Sequence, residues 1–217
     1  MVFGLTKGQG DSVKKEQEEW GDAVVKVIWR PVAIGLCVGL PAAYFLYTTV
    51  IGKRYPTAAH IPPEVFNKRT VIRGKVMSVG DSDNFRIYHT PGIGWGWWRH
   101  IPKTRKELRD QTIPIRIAGV DAPEGAHFGM PKQPFYDESK AYLTSLVQNR
   151  FVKVELLARD QYNRAVGMVY IRSPPFFTRK NVSEEMLKQG MASLYVAKGA
   201  AYADQKHRLE KAEARAK

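Results

Sequence analysis

Between Arg30 and Lys53 the chain runs for 22 residues, PVAIGLCVGLPAAYFLYTTVIG, without one charged side chain. A helix rising about 1.5 Å per residue carries such a run roughly 33 Å, enough to cross a hydrocarbon core. Trp29 on one side and Tyr44, Tyr47 and Tyr55 on the other suit the membrane–water interface. Pro41 would break a soluble helix but is tolerated in a membrane one. A cleaved secretory leader fits poorly, because 30 residues with five acids come first. The expected layout is a flexible segment over 1–30, a transmembrane helix over 31–52, a Pro-containing linker over 53–69 and a folded domain over 70–217. Gly35 and Gly39 have the spacing that lets two membrane helices approach, so a homodimer is one possible partner arrangement. Cys37 is the single cysteine, which excludes an intrachain disulfide and a multi-cysteine zinc site.

The net charge is +13. Residues 1–30 hold five bases and five acids and 31–52 hold neither, so the whole excess lies in 53–217. A domain so charged attracts polyanions, either nucleic acid or an anionic membrane surface.

Short β-prone runs fill that domain: 70–79, 84–89, 112–119, 151–158 and 165–171. The alternation in FVKVEL is that of a half-buried strand. Asp81-Ser82-Asp83 reads as a hairpin turn. Apolar residues at i,i+4 spacing place a helix in 135–149. Asn181 and Glu184 open another that Gly190 stops, and 200–217 reads as a long amphipathic helix running to the chain end. The sum is an α+β domain: a small five-stranded OB-type barrel with about three helices. The stretch 90–111 exceeds a minimal barrel. It sets Trp95, Trp97 and Trp98 beside Arg99, Lys103, Arg105 and Lys106. Base stacking, docking on a membrane surface and burial of the tryptophans on the domain all remain open for it.

Three short motifs carry the chemistry: Val79-Gly80-Asp81-Ser82-Asp83-Asn84, Ile115-Arg116-Ile117-Ala118-Gly119-Val120-Asp121-Ala122-Pro123-Glu124, and Asp160-Gln161-Tyr162-Asn163-Arg164. Asp83 and Asp121 are hard oxygen ligands suited to Ca²⁺. Glu124 follows Asp121 by three residues across a stiff Pro123, close enough to act on a water without being a ligand. Arg116 and Arg164 offer permanently charged, forked donors to phosphate oxygens.

Together and in this order the motifs resemble those of the staphylococcal nuclease-like (thermonuclease) family, over about residues 70–217. The membrane segment and the tryptophan-rich insertion make the chain most similar to that family's fungal membrane-anchored endonucleases, which are assigned to mitochondria. The resemblance implies a Ca²⁺-dependent endonuclease that hydrolyses DNA and RNA and leaves 3′-phosphates. It implies catalytic roles for Arg116, Glu124 and Arg164, with metal held by Asp83, Asp121 and the main-chain carbonyl of Ala122. It also implies weaker substrate contacts by Tyr162 and Tyr195. The chain departs from the family pattern at Ser82, Gln161 and Asn163, where the family has Gly, often Lys, and Gly. The alternative is a membrane-tethered module that binds nucleic acid without cleaving it.

Overall fold

The computed structural model describes residues 19–21, 30–47, 52–126, 129–173, 178–197 and 199–217. The chain divides into two compact units, Met1–Lys53 and Arg54–Lys217.

In the first unit, helix α1 spans Arg30–Leu46 with Pro41 inside it. It is 17 residues long, about 25 Å at the helical rise. Among the described residues no helix is long and apolar enough to cross a membrane. Residues 48–51 of the expected span, and most of 1–30, lie outside the described residues.

The second unit is a closed barrel. Strands β1 (Val71–Val79), β2 (Asn84–His89) and β3 (Ile113–Ile117) form an antiparallel meander, and β5 (Phe151–Arg159) and β6 (Ala165–Ser173) pair on the other side of β1. Parallel pairing of β3 with β6, Ile115 opposite Ala165, closes the ring. The five-stranded OB-type α+β fold is therefore present. A sixth strand, β7 (Thr178–Asn181), extends the sheet beyond β6. Short β4 (Val120–Asp121) pairs with β8 (Ser193–Leu194). Strands of two residues lack the length for a periodic signal, which is why the sequence hid them.

Alternation drives closure. Ile72 and Val76 of β1, Phe85 and Ile87 of β2, and Val152, Val154 and Leu156 of β5 point inward and are fully or almost fully buried. Register shifts between Val76 and Ser78 and between Leu156 and Ala158 add the coil a small barrel needs. Gly74 permits the tight β1–β2 approach: a Cβ there would lie 2.8 Å from Ile87 Cδ1 and 3.0 Å from the Tyr88 carbonyl.

Helices α2 (Pro63–Asn67), α3 (Tyr136–Val147), α4 (Val182–Lys188) and α5 (Lys206–Ala214) belong to this unit. Asn181 caps α4, its side chain accepting from Ser183 N–H at 2.9 Å, and Gly190 follows with φ 65°. Two expectations change. The presumed linker 53–69 folds from Arg54 onward as part of this unit, because Ala58, Ile61 and Phe66 are buried in its core. The last helix is Lys206–Ala214 rather than 200–217, since Ala203 and Asp204 sit at positive φ. Among the described residues the buried hydrophobic core falls within 54–217, so the unit carries a core of its own.

Candidate active site

Two turns, one strand and the stretch after β4 meet to build a pocket of about 470 Å³. The β1–β2 turn brings Asp81, Ser82 and Asp83; β3 brings Arg116; the stretch after β4 brings Ala122 and Glu124; the β5–β6 turn brings Gln161, Tyr162 and Arg164. Asp121 does not line this pocket. It is exposed on β4, where it pairs with Ser193.

Register explains the first meeting. Asn84 lies opposite Arg116 in the β2–β3 ladder, and Ile117 N–H donates to the Asp83 carbonyl at 2.9 Å. This sets Arg116 Nε 3.2 Å from Asp83 Oδ2, both side chains mostly buried. Burial pushes the Asp83 carboxyl above its ordinary range, while Arg116 and then Arg164 pull it back. Asp83 is thus a carboxylate short of positive charge.

A second acid holds the second arginine. Arg164 Nε donates to Asp160 Oδ2 at 2.6 Å. Asp160 Oδ1 accepts the backbone N–H groups of Tyr162 (2.9 Å) and Arg164 (2.8 Å). Asn163 occupies the left-handed position of this turn, φ 59°, which Asn tolerates in place of Gly. Each arginine is gripped through Nε, so its two terminal nitrogens keep donors for phosphate oxygens.

Two further residues tie the pocket together. Ser82 is 2% exposed, and its hydroxyl donates to the Pro123 carbonyl, joining the Asp83 turn to the segment that bears Glu124. Gln133 brackets Glu124: its side-chain Oε1 accepts from Glu124 N–H, and its own N–H donates to the Glu124 carbonyl, both at 3.0 Å. Sequence reading assigned no role to Asp160, Ser82 or Gln133. Asp160 had a signal, the Asx-type turn that Asp forms two residues on. Ser82 and Gln133 had none, because their partners are set by tertiary packing.

Tyr162 is 71% exposed, with the Arg164 guanidinium 5.4 Å from its ring. Tyr195 lies outside the pocket but beside it: the Arg116 guanidinium sits 5.2 Å from its ring, and both residues line an adjoining cavity of about 220 Å³. Among the described residues no group of three or more His, Cys, Asp or Glu side chains is gathered to hold a metal ion. The pocket's anionic donors are nonetheless all oxygens, from Asp81, Asp83 and Glu124, and the undercompensated Asp83 suits a hard cation.

Fold and site define a class: a small OB-type barrel whose strand ends combine acids and arginines in one phosphate-sized cleft. The sequence model of the staphylococcal nuclease homologue family matches residues 114–217. The chain is 46% identical over 205 residues to probable endonuclease LCL3 of Podospora anserina, covering 88% of this chain and 71% of that one. It is 50% identical over 172 residues to probable endonuclease lcl3 of Aspergillus niger, covering 75% and 62%. It is 47% identical over 193 residues to probable endonuclease LCL3 of Verticillium alfalfae, covering 87% and 66%. The chain belongs to the staphylococcal nuclease homologue family, and its matches span about two thirds of these fungal relatives' lengths.

Proposed function

We propose that the protein is a membrane-anchored, calcium-dependent endonuclease that hydrolyses DNA and RNA phosphodiesters to 3′-phosphate and 5′-hydroxyl ends. The observation that carries the reading is the convergence of Asp83, Arg116, Glu124 and Arg164 on one pocket from three separate chain segments. The curated relatives, named as probable endonucleases, support it.

Arg116 and Arg164 bind the scissile phosphate from two sides and stabilise the charge that grows on its oxygens. The Glu124 carboxylate orients a water and accepts its proton as the water oxygen bonds to phosphorus. The P–O5′ bond breaks, and that oxygen takes up a proton. The set that the family resemblance implies, Asp83, Asp121 and the Ala122 carbonyl, of which Asp83 and Ala122 line the pocket, would hold the Ca²⁺, which when bound supplies Lewis-acid polarisation of the phosphate. Tyr162 contacts a phosphate and Tyr195 a base.

The run 31–52 is the anchor. Its support is a helix whose apolar side chains lie open, Ile34, Val38, Leu40 and Phe45 each more than 60% exposed. Family resemblance makes the compartment mitochondrial, and Gly35 and Gly39 would form the contact if two copies pair.

Residues 54–217 should digest DNA and RNA with Ca²⁺ and stop on chelation. Glu124→Gln and Arg164→Ala should each lose on the order of 10²-fold or more in kcat. Full activity in both variants would overturn the mechanism; tight binding without turnover in the wild type would leave a tethered binding module. Release of the full chain from membranes by alkaline extraction would overturn the anchor.

A further inference from the structure

A second groove of the barrel shares no lining residue with the pocket and has a different character. The candidate active site collects the turns that follow Val79 of β1 and Arg159 of β5. The second groove, of about 690 Å³, lies over the β1–β5 pairing and the β6–β7 ladder, lined by Arg73, Arg150, Lys153, Arg172 and Arg179. No carboxylate lines it, and among the described residues none of these five cations makes an ion pair.

Their arrangement is costly for an empty groove. Arg73 stands directly opposite Lys153 in the β1–β5 ladder, and Arg172 directly opposite Arg179 in the β6–β7 ladder. Like charges at opposed positions destabilise a sheet, and a bound anion removes that repulsion. The guanidiniums are also held in place on aromatic rings: Arg73 is 4.7 Å from the Phe151 ring centre and Arg179 is 3.6 Å from that of Tyr170.

The same outer face continues toward the tryptophan-rich segment. Phe151 is opposite Lys75, and Lys75 is opposite Tyr88. Trp95 packs edge-on against Tyr88, donates from Nε1 to the Pro91 carbonyl at 2.7 Å, and lies under Arg99. With Trp95 as the fastening, the turn presents Trp97 and Trp98 outward, 84% and 61% exposed, and Ile93 at 63%. Gly94, at φ 86°, seats the Trp98 ring against its bare Cα. Two tryptophans projecting beside a band of unpaired cations match the headgroup region of an anionic bilayer, where indole rings and basic side chains both partition. The unit's first residues are fastened to the same end of β2: Arg54 over Tyr88, and Tyr55 N–H on His89 Nδ1 at 2.9 Å.

We infer that this face of the barrel docks on an anionic lipid surface, Trp97 and Trp98 entering the interface and the groove taking lipid phosphates. The inference extends the membrane-anchored reading, yet its test does not need the anchor. The only tryptophans in 54–217 are Trp95, Trp97 and Trp98, so intrinsic fluorescence of that unit reports on this loop alone.

Residues 54–217 are titrated with vesicles of phosphatidylcholine alone or with one third phosphatidylserine, with brominated lipid as quencher. Binding to the anionic vesicles only, with a blue shift, quenching and loss in high salt, is the expected result. Trp97→Ala with Trp98→Ala should weaken binding on the order of tenfold. Arg73→Gln with Arg172→Gln and Arg179→Gln should weaken it about a hundredfold, at roughly fivefold per charge. Thermal unfolding checks that the variants fold. Equal binding to both vesicle types, or undiminished binding by the folded variants, overturns the inference. So does displacement of the vesicles by an oligonucleotide whose own affinity falls in the arginine variants, which would assign the groove to nucleic acid. Alkaline extraction of the full chain tests the anchor separately.

Discussion

Ser82→Ala removes one oxygen from the candidate site without touching any group assigned to chemistry. The hydroxyl is 2% exposed and donates to the Pro123 carbonyl across 41 positions of sequence. Its loss forfeits a net hydrogen bond and leaves the carbonyl of half-buried Pro123 without this donor, a cost of about 1–3 kcal/mol. For a unit of this size that lowers Tm by roughly 2–10 °C. The effect on rate is more telling. Ser82 neighbours Asp83, and Pro123 neighbours Glu124, so the bond fixes the spacing of two acids carried by different segments. A displacement near 1 Å costs up to about 10²-fold, so a fall in kcat of about tenfold is expected with little change in KM. Urea unfolding and initial rates on DNA measure both quantities. A double-mutant cycle with Glu124→Gln then separates positioning from stability: the Ser82→Ala rate loss should shrink once Glu124 no longer accepts a proton. An undiminished loss in that background, or wild-type stability and rate in the single variant, would refute the reasoning.

Three other outcomes follow from the same geometry. Arg116→Ala should cut kcat by about 10²–10³ and move the acid limb of the pH–rate profile to higher pH. Asp83, already raised by burial, loses its nearest counter-charge, and an unmoved limb would argue against that pairing. Asp160→Asn keeps an oxygen for the Tyr162 and Arg164 N–H groups but drops the charge that grips Arg164 Nε. It should therefore lower activity more than stability, with urea unfolding and kcat compared side by side. His89, 3% exposed and stacked on Tyr55, has its pKa lowered to about 4 by burial and then by Arg54. Its neutral form stabilises the fold above the unfolded value near 6.5. About 3 kcal/mol is lost as pH falls from there to 4, so His89→Gln should flatten urea-measured stability across that window.

Much was legible in the chain before folding. Short β-prone runs mark β1, β2, β3, β5 and β6 within a residue or two, and in β5 the alternation of a half-buried strand writes its own period. Asn181 and Gly190 announce the ends of α4 by local backbone chemistry. The three motifs name their acids and arginines because phosphoryl chemistry restricts which side chains serve it. Residues 54–69 concealed their role, since three prolines mimic a linker while Ala58, Ile61 and Phe66 supply the core.

What the sequence by itself determined was therefore the identity of the groups and the local shape of each segment, both consequences of short-range sterics and side-chain type. Tertiary structure alone decided which segments meet. Strand register put Arg116 against Asp83, and a hydroxyl joined Ser82 to Pro123. Pairing of β1 with β5 set Arg73 against Lys153. Contacts between residues 33, 41 or more positions apart depend on how the strands coil around one core, and no local pattern encodes that distance.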